Sequence, residues 1–270
     1  MPFVENQGAR IYWDEQGSGE PLLLIKGLSY PSYMWHRSRP FLAQHHRTIA
    51  LDNRGIGQSD VPPGVYPIAQ MASDAAAVLD AARVPSAHLY GVSMGGMIAQ
   101  EFALQYPQRV RSFILGCTNA GGPHIVRAEP HVLEILTRQG MTPEQATEAM
   151  IPFIYDAATP RSRIDEDIAI RMKWYPTPQG YLGQLQGILQ WEAYSRIAQI
   201  NAPTLIIHGE TDQLIPVANA HLLAERIAGA KLALIPRASH IFETDQPGVA
   251  IRLITEFLDA QQNRAQHPHS

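Results

Sequence analysis

The chain has 270 residues, 45% of them hydrophobic and 17% charged, with a formal net charge of -4; one large domain or two small ones can bury a core at that length without staples. That charge gives no pull toward nucleic acid, and the single cysteine, Cys117, excludes an internal disulfide and a cysteine-based zinc cluster. The N-terminal "MPFVENQGARIYWDEQ" has neither a basic start nor an apolar stretch, and no window approaches the roughly 20 apolar residues of a membrane span; a full-length cytoplasmic protein with no nucleic-acid or membrane partner is expected.

Short apolar runs bounded by turn residues alternate with stretches of helical period, the pattern of a mostly parallel sheet covered by helices. "ARIYWDEQ" and "PLLLIKG" lie close together around "GSGEP". A helix from Ser32 to Gln44 leads to "RTIALDNRG", one from Ile68 to Arg83 to "AHLYGVS", and one from Met94 to Tyr106 to "VRSFILGC". From about Gly121 to about Trp191 the rhythm breaks, with helical segments such as "PHVLEILTRQ" and "TPEQATEAMIPFIY" and no strand-like run between them. We therefore expect a helical cap, residues 121–191, inserted into a core made of residues 1–120 and 192–265. "APTLIIHGE", a helix from Val217 to Ala228, "AKLALIP" and a helix from Gln246 to Gln261 complete the core, and "QQNRAQHPHS" reads as a frayed tail.

One short stretch carries chemistry. "GVSMGG", residues 91–96, follows the strand-like "AHLY" and opens the amphipathic run ended by Pro107. A tight strand-to-helix turn is crowded on both sides and needs neighbours without side chains, which Gly91 and Gly95 supply. Gly-x-Ser-x-Gly between strand and helix is the setting of a nucleophile elbow, with Ser93 as nucleophile; the plain alternative is an N-cap serine.

A serine hydroxyl is a poor nucleophile at neutral pH, so it needs a histidine base and a carboxylate to orient that histidine. "TLIIHGETDQLIP" ends in a loop carrying Asp212, and "LALIPRASHIFETDQP" in a loop carrying His240. Both loops leave the same kind of strand end as Ser93, so the three side chains can converge at the carboxyl edge of one sheet. Glu210 is a rival acid, less well placed in the turn than Asp212; His208, inside the apolar run, is expected to be packed or locally hydrogen-bonded. Two N–H donors should face the developing oxyanion: that of Met94 at the helix start, and that of Leu28 in "KGLSYPSYMW", where Gly27 permits close approach.

Through "GVSMGG", "DNRGIGQSD", "PTLIIHGETDQLIP" and "ASHIFE", in that order, the chain resembles the α/β-hydrolase superfamily over nearly its whole length. The resemblance implies an α/β fold with an eight-stranded, mostly parallel sheet flanked by helices, a cap after the sixth strand, and Ser93, His240 and Asp212 as nucleophile, base and acid. It also implies structural roles for Asp52 and Arg54. Many relatives have His-Gly where this chain has Lys26-Gly27. Lys26 then either replaces a packing partner, burying its stem, or lines the pocket mouth and favours an anionic acyl group. Lys26, Gly27 and the cap aromatic Trp174 are the candidate substrate-binding residues, although aromatics of "MIPFIY", "KWYPTPQGY" and "QWEAY" could equally pack cap on core.

The region is similar to 3-oxoadipate enol-lactonases, cofactor-free haloperoxidases and carbon–carbon hydrolases of ring-fission products, which share the triad. The expected activity is hydrolysis of a small-molecule ester or lactone with no metal or organic cofactor. The rivals are carbon–carbon cleavage, perhydrolysis, or a binding protein on the same fold. "QWEAYSRIAQI" and the edge strand near Lys231 are the candidate surfaces for a homo-oligomer.

Overall fold

A computed structural model describes residues 3–137 and 140–266. Eight strands, β1 Phe3–Asn6, β2 Ala9–Gln16, β3 Glu20–Ile25, β4 His46–Leu51, β5 Ala87–Val92, β6 Val110–Gly116, β7 Thr204–Gly209 and β8 Lys231–Ile235, form one sheet in the order β1-β2-β4-β3-β5-β6-β7-β8. The first two pairings are antiparallel and the remainder parallel. The expected architecture is present. Parallel strands covered on both faces read as continuous apolar runs, and β5 and β7 are buried at every position.

Alternation along the strands divides the core. Leu23, Ile25, Leu89, Phe113 and Leu115 face α2 Ile68–Ala81, α3 Met94–Gln105 and α8 Ala218–Arg226, whereas Leu22, Leu24, Tyr90, Ile114 and Ile207 face α1 Arg39–Leu42 and α10 Pro247–Gln266. Strand β1 escapes the sequence pattern because "FVEN" is only four residues long. The signal that marks it is the turn at Gln7 and Gly8, both at positive φ (46° and 77°), the conformation of a two-residue hairpin that matches strand twist. The helix expected from Ser32 to Gln44 is instead a short 3-10 turn, Ser32–Trp35, followed by α1. Pro40 is the reason: it has no N–H to donate to the carbonyl four residues earlier, so a continuous helix is interrupted there, and it suits the first turn of a new one.

Between β6 and β7 the chain forms α4 Pro130–Thr137, α5 Pro143–Ile154, α6 Arg161–Lys173 and α7 Pro178–Gln190. The neck of this insertion is closed, with Gly121 bridged to Glu192 and the Ala193 N–H donating to Ala120 O at 2.8 Å. Met150, Ile154, Tyr155 and Ile164 form a small apolar cluster that packs on Leu214 and Ile241, beside Asp212 and His240 respectively. On α7, Gly180 and Gly187 press against the backbone of Gly55 and Tyr66, closer than a β-carbon would permit. A short helix, α9 Phe242–Asp245, follows His240.

Asp52 and Arg54 hold the loop after β4. Asp52 accepts from the backbone N–H groups of Ser32 (2.6 Å) and Gln58 (2.8 Å). Arg54 makes a two-pronged pair with Asp74 of α2, both contacts 2.6 Å, and Asp74 also accepts from Asn6 Nδ2 of β1 at 2.8 Å. Both partners are buried, so removing one leaves an uncompensated charge. Urea unfolding of Arg54→Met should show a loss of about 3–5 kcal/mol, and adding Asp74→Leu should recover a large part of it; a single-variant loss below about 1 kcal/mol would contradict this.

Candidate active site

Ser93 sits between β5 and α3 with φ 58° and ψ -122°, a backbone conformation that costs energy for any residue with a β-carbon. It is held there by its N–H donating to Gly116 O at 2.8 Å and by Thr118 Oγ1 donating to Ser93 O at 2.7 Å. A β-carbon at Gly91 would strike Gly95 O, and one at Gly95 would strike Ile25 O. The two glycines are therefore steric requirements of the turn. Ser93 occupies the N-cap position of α3, but its side chain accepts no hydrogen bond from the helix, so the hydroxyl does not serve as a cap.

At the end of β7, Asp212 Oδ1 accepts from the N–H groups of Leu214 (2.9 Å) and Ile215 (2.8 Å), which fixes the carboxylate. Its other oxygen, Oδ2, lies 2.8 Å from His240 Nδ1. That contact selects the tautomer with hydrogen on Nδ1, leaving Nε2 free to accept a proton. His208 Nε2 stands 3.3 Å from Asp212 Oδ2 and 2.7 Å from Ile215 O, so it is locally hydrogen-bonded as expected. Burial pushes the Asp212 carboxyl up, yet the imidazoles of His240 and His208 outweigh burial and hold it well below the usual carboxylate range. Glu210, the rival acid, is exposed.

Ser93 and His240 line one cavity of about 480 Å³. Gly27 lies against the serine, a β-carbon there falling 2.9 Å from Ser93 Cβ. The N–H groups of Leu28 and Met94 donate to no acceptor among the described residues, so both are free for a ligand oxygen. Cys117, Asp212 and His240 are grouped closely enough to ligate a metal ion. Burial pushes the Cys117 thiol well up, and a metal there would separate His240 from Asp212, which are in direct contact at 2.8 Å.

Two expectations are corrected. Lys26 borders the cavity, but as a buried residue rather than as an exposed charge at its mouth. It is 7% exposed, its Nζ 2.6 Å from Glu243 Oε2 and 3.5 Å from the centre of the Trp35 ring, while Tyr90 OH donates to Glu243 Oε1 at 3.0 Å. Its charge is thereby compensated inside the protein, in keeping with the packing alternative. Trp174 does not line the cavity; it stacks on Tyr33, ring centres 5.6 Å apart. The walls are supplied instead by Met150, Ile154, Tyr175, Tyr181 and Leu185 of the insertion, together with Arg171, a residue the sequence pattern did not single out. Trp191 packs in the core, its Nε1 donating to Glu101 at 2.8 Å.

The profile of the alpha/beta hydrolase fold family matches residues 20–142. RutD of Azorhizobium caulinodans, a protein named as a carbamate hydrolase, is 32% identical over 262 residues, covering 95% of this chain and 98% of its own. 3-Oxoadipate enol-lactonase 2 of Acinetobacter baylyi is 29% identical over 86% of each chain. The solved structure of Est816, described as an N-acyl homoserine lactone degrading enzyme, is similar with a TM-score of 0.82 and 30% identity, over 95% of this chain and 100% of that one. With the sheet order, the strained serine turn and relatives that match end to end, the chain belongs to the α/β-hydrolase superfamily, of the esterase and lactonase type.

Proposed function

We propose that the protein is a serine hydrolase that cleaves a small carboxylic ester or lactone through an acyl-enzyme on Ser93. The observation that carries this reading is the Asp212–His240 contact of 2.8 Å, buried behind the same cavity into which the strained serine turn opens. Names of relatives, among them the enol-lactonase and the lactone-degrading Est816, support the substrate class.

In this mechanism Ser93 Oγ adds to the substrate carbonyl as its proton passes to His240 Nε2, and Asp212 stabilises the resulting imidazolium through Nδ1–H. The oxyanion is met by the N–H groups of Leu28 and Met94, fixed before the reaction begins. Collapse breaks the ester C–O bond, and the leaving oxygen takes the proton back from His240. A lactone's leaving group stays attached to the acyl chain. Water then adds to the acyl-enzyme, its proton going to His240 Nε2, and collapse returns that proton to Ser93 as the acid departs. The RutD relative's name favours a second substrate for the same machinery, a carbamate, in which nitrogen flanks the carbonyl.

Initial rates on p-nitrophenyl esters from acetate to octanoate, several lactones and an aryl carbamate test the reading. Ester or lactone turnover should fall by about 10⁴-fold or more in Ser93→Ala. Failure to turn over any ester or lactone would sink the ester-hydrolase reading, and turnover of the carbamate alone would select the second substrate. Asp212→Asn should lower kcat by about 10⁴-fold, because the amide no longer fixes the tautomer; a loss below tenfold would remove Asp212 from this role. The carboxyl's ordinary pKa is 3.8 and folding depresses it, so its ionised form contributes stability that is complete above that value and lost as pH falls toward the depressed one. The unfolding free energy of the native protein minus that of Asp212→Asn should stay level down to about pH 4 and shrink below it; a difference growing below pH 4 would contradict the depressed value.

A further inference from the structure

The charges lining the cavity are not equivalent. Lys26 is compensated by Glu243, and Arg37 by Asp167 at 3.0 Å and Glu166 at 2.9 Å. Arg127 is exposed. Arg171, in the last turn of α6, is half-buried on the cavity wall and has no carboxylate partner among the described residues. Its Nε is buried without a hydrogen-bond partner, Nη2 lies 3.4 Å from Ser29 Oγ, and the Tyr30 hydroxyl also interacts with the guanidinium. The guanidinium otherwise rests on two rings, 4.9 Å from the centre of Tyr30 and 5.6 Å from that of Tyr175.

The absence of a partner is built in. One turn earlier on α6 stands Asp167, at the spacing that ordinarily pairs with an arginine on the same helix. Both of its oxygens are already engaged: Oδ1 by Arg37 Nε and Nη2 at 3.1 and 3.0 Å and by His36 Nε2 at 3.3 Å, Oδ2 by Tyr155 OH at 3.1 Å and Thr244 Oγ1 at 2.6 Å. The helix C-terminus and the two rings favour a cation there, but neither fills the donor fork. Nε is sealed, so a guanidinium so placed can offer the cavity only the N–H groups of its terminal nitrogens, which suit a carboxylate oxygen. Its contact with Ser29 puts it one residue from Leu28, on the insertion's side of the serine.

Resting on the ester-hydrolase reading above, we propose that Arg171 recognises a carboxylate carried by the substrate beyond the bond that is cleaved. The preferred substrates are then half-esters or lactones with an acidic tail and an apolar middle. A single half-buried guanidinium without an acid partner among the described residues suits a monoanion; a dianionic phosphate would require further donors.

The test uses glutarate and its methyl esters. The native protein should hydrolyse monomethyl glutarate with a higher kcat/KM than dimethyl glutarate, and Arg171→Met should lower that ratio about tenfold or more, chiefly through KM of the half-ester, with Arg171→Lys keeping part of it. Calorimetric binding of glutarate to Ser93→Ala should weaken to the same degree when Arg171→Met is added. A native preference for the neutral diester overturns the proposal without any Arg171 variant, as does a glutarate affinity that Arg171→Met leaves unchanged. Arg171-dependent glutarate binding without turnover of either ester would support the anion site while telling against the ester-hydrolase reading.

Discussion

The backbone at Ser93 can take its conformation only because two neighbours lack side chains, and much of the architecture follows from that steric fact. A β-carbon at Gly95 would collide with the carbonyl of Ile25 at the end of β3, and one at Gly91 with α3 itself. The helix therefore sits almost on the sheet, and the serine is lifted at the strand end into the space above it. Strain of this kind persists only where surroundings over-determine it. Here the Gly116 carbonyl and the Thr118 hydroxyl grip the turn from the end of β6, while Gly27 permits the loop after β3 to close to within contact of Ser93.

Electrostatic compensation sorts the polar groups around that turn. Asp212 has its two oxygens divided between backbone N–H groups and imidazole, so the carboxylate stays charged in a buried place. Lys26 is treated in the same way by Glu243, Tyr90 and Trp35, leaving a charged group near the site with little field to lend to it. Asp167 goes further, joining α6 to Arg37 and to Thr244, four residues after His240. The loops that carry Asp212 and His240 also share contacts with the insertion, through Leu214 and Ile241.

The sequence made the chemistry more legible than the pocket, for a physical reason. Ser93, Asp212 and His240 each lie within five residues of the carboxyl end of a strand, so local patterns of apolar residues and turn residues place all three at one sheet edge. Gly91 and Gly95 mark the turn by composition alone. Pairings between distant residues leave no such mark: Lys26 meets Glu243 across 217 positions, and nothing near either predicts it. Trp174 was a reasonable wall by size and type, yet the chain leaves the helix there and its ring stacks on Tyr33, while the last turn of α6 places Arg171 on the cavity. Local chemistry also overrode periodicity at Pro40, and a four-residue strand at the N-terminus was too short to show a period at all.

The closed neck of the insertion has a consequence for how such a protein can change. Because the connection from β6 to β7 is pinned at Gly121 and Glu192, paired across a bridge outside the sheet, the intervening segment is topologically a cassette. The entropy of closing a loop grows only with the logarithm of its length, so shortening or lengthening the cassette alters the cost of closing that neck only slightly. What a replacement must reproduce is narrower: an apolar seat for Ile241, an acid for Arg37, and small residues where α7 crosses Gly55 and Tyr66. Within those terms the walls that select the ligand can be exchanged as a unit, while the serine turn and its buried acid remain where the sheet puts them.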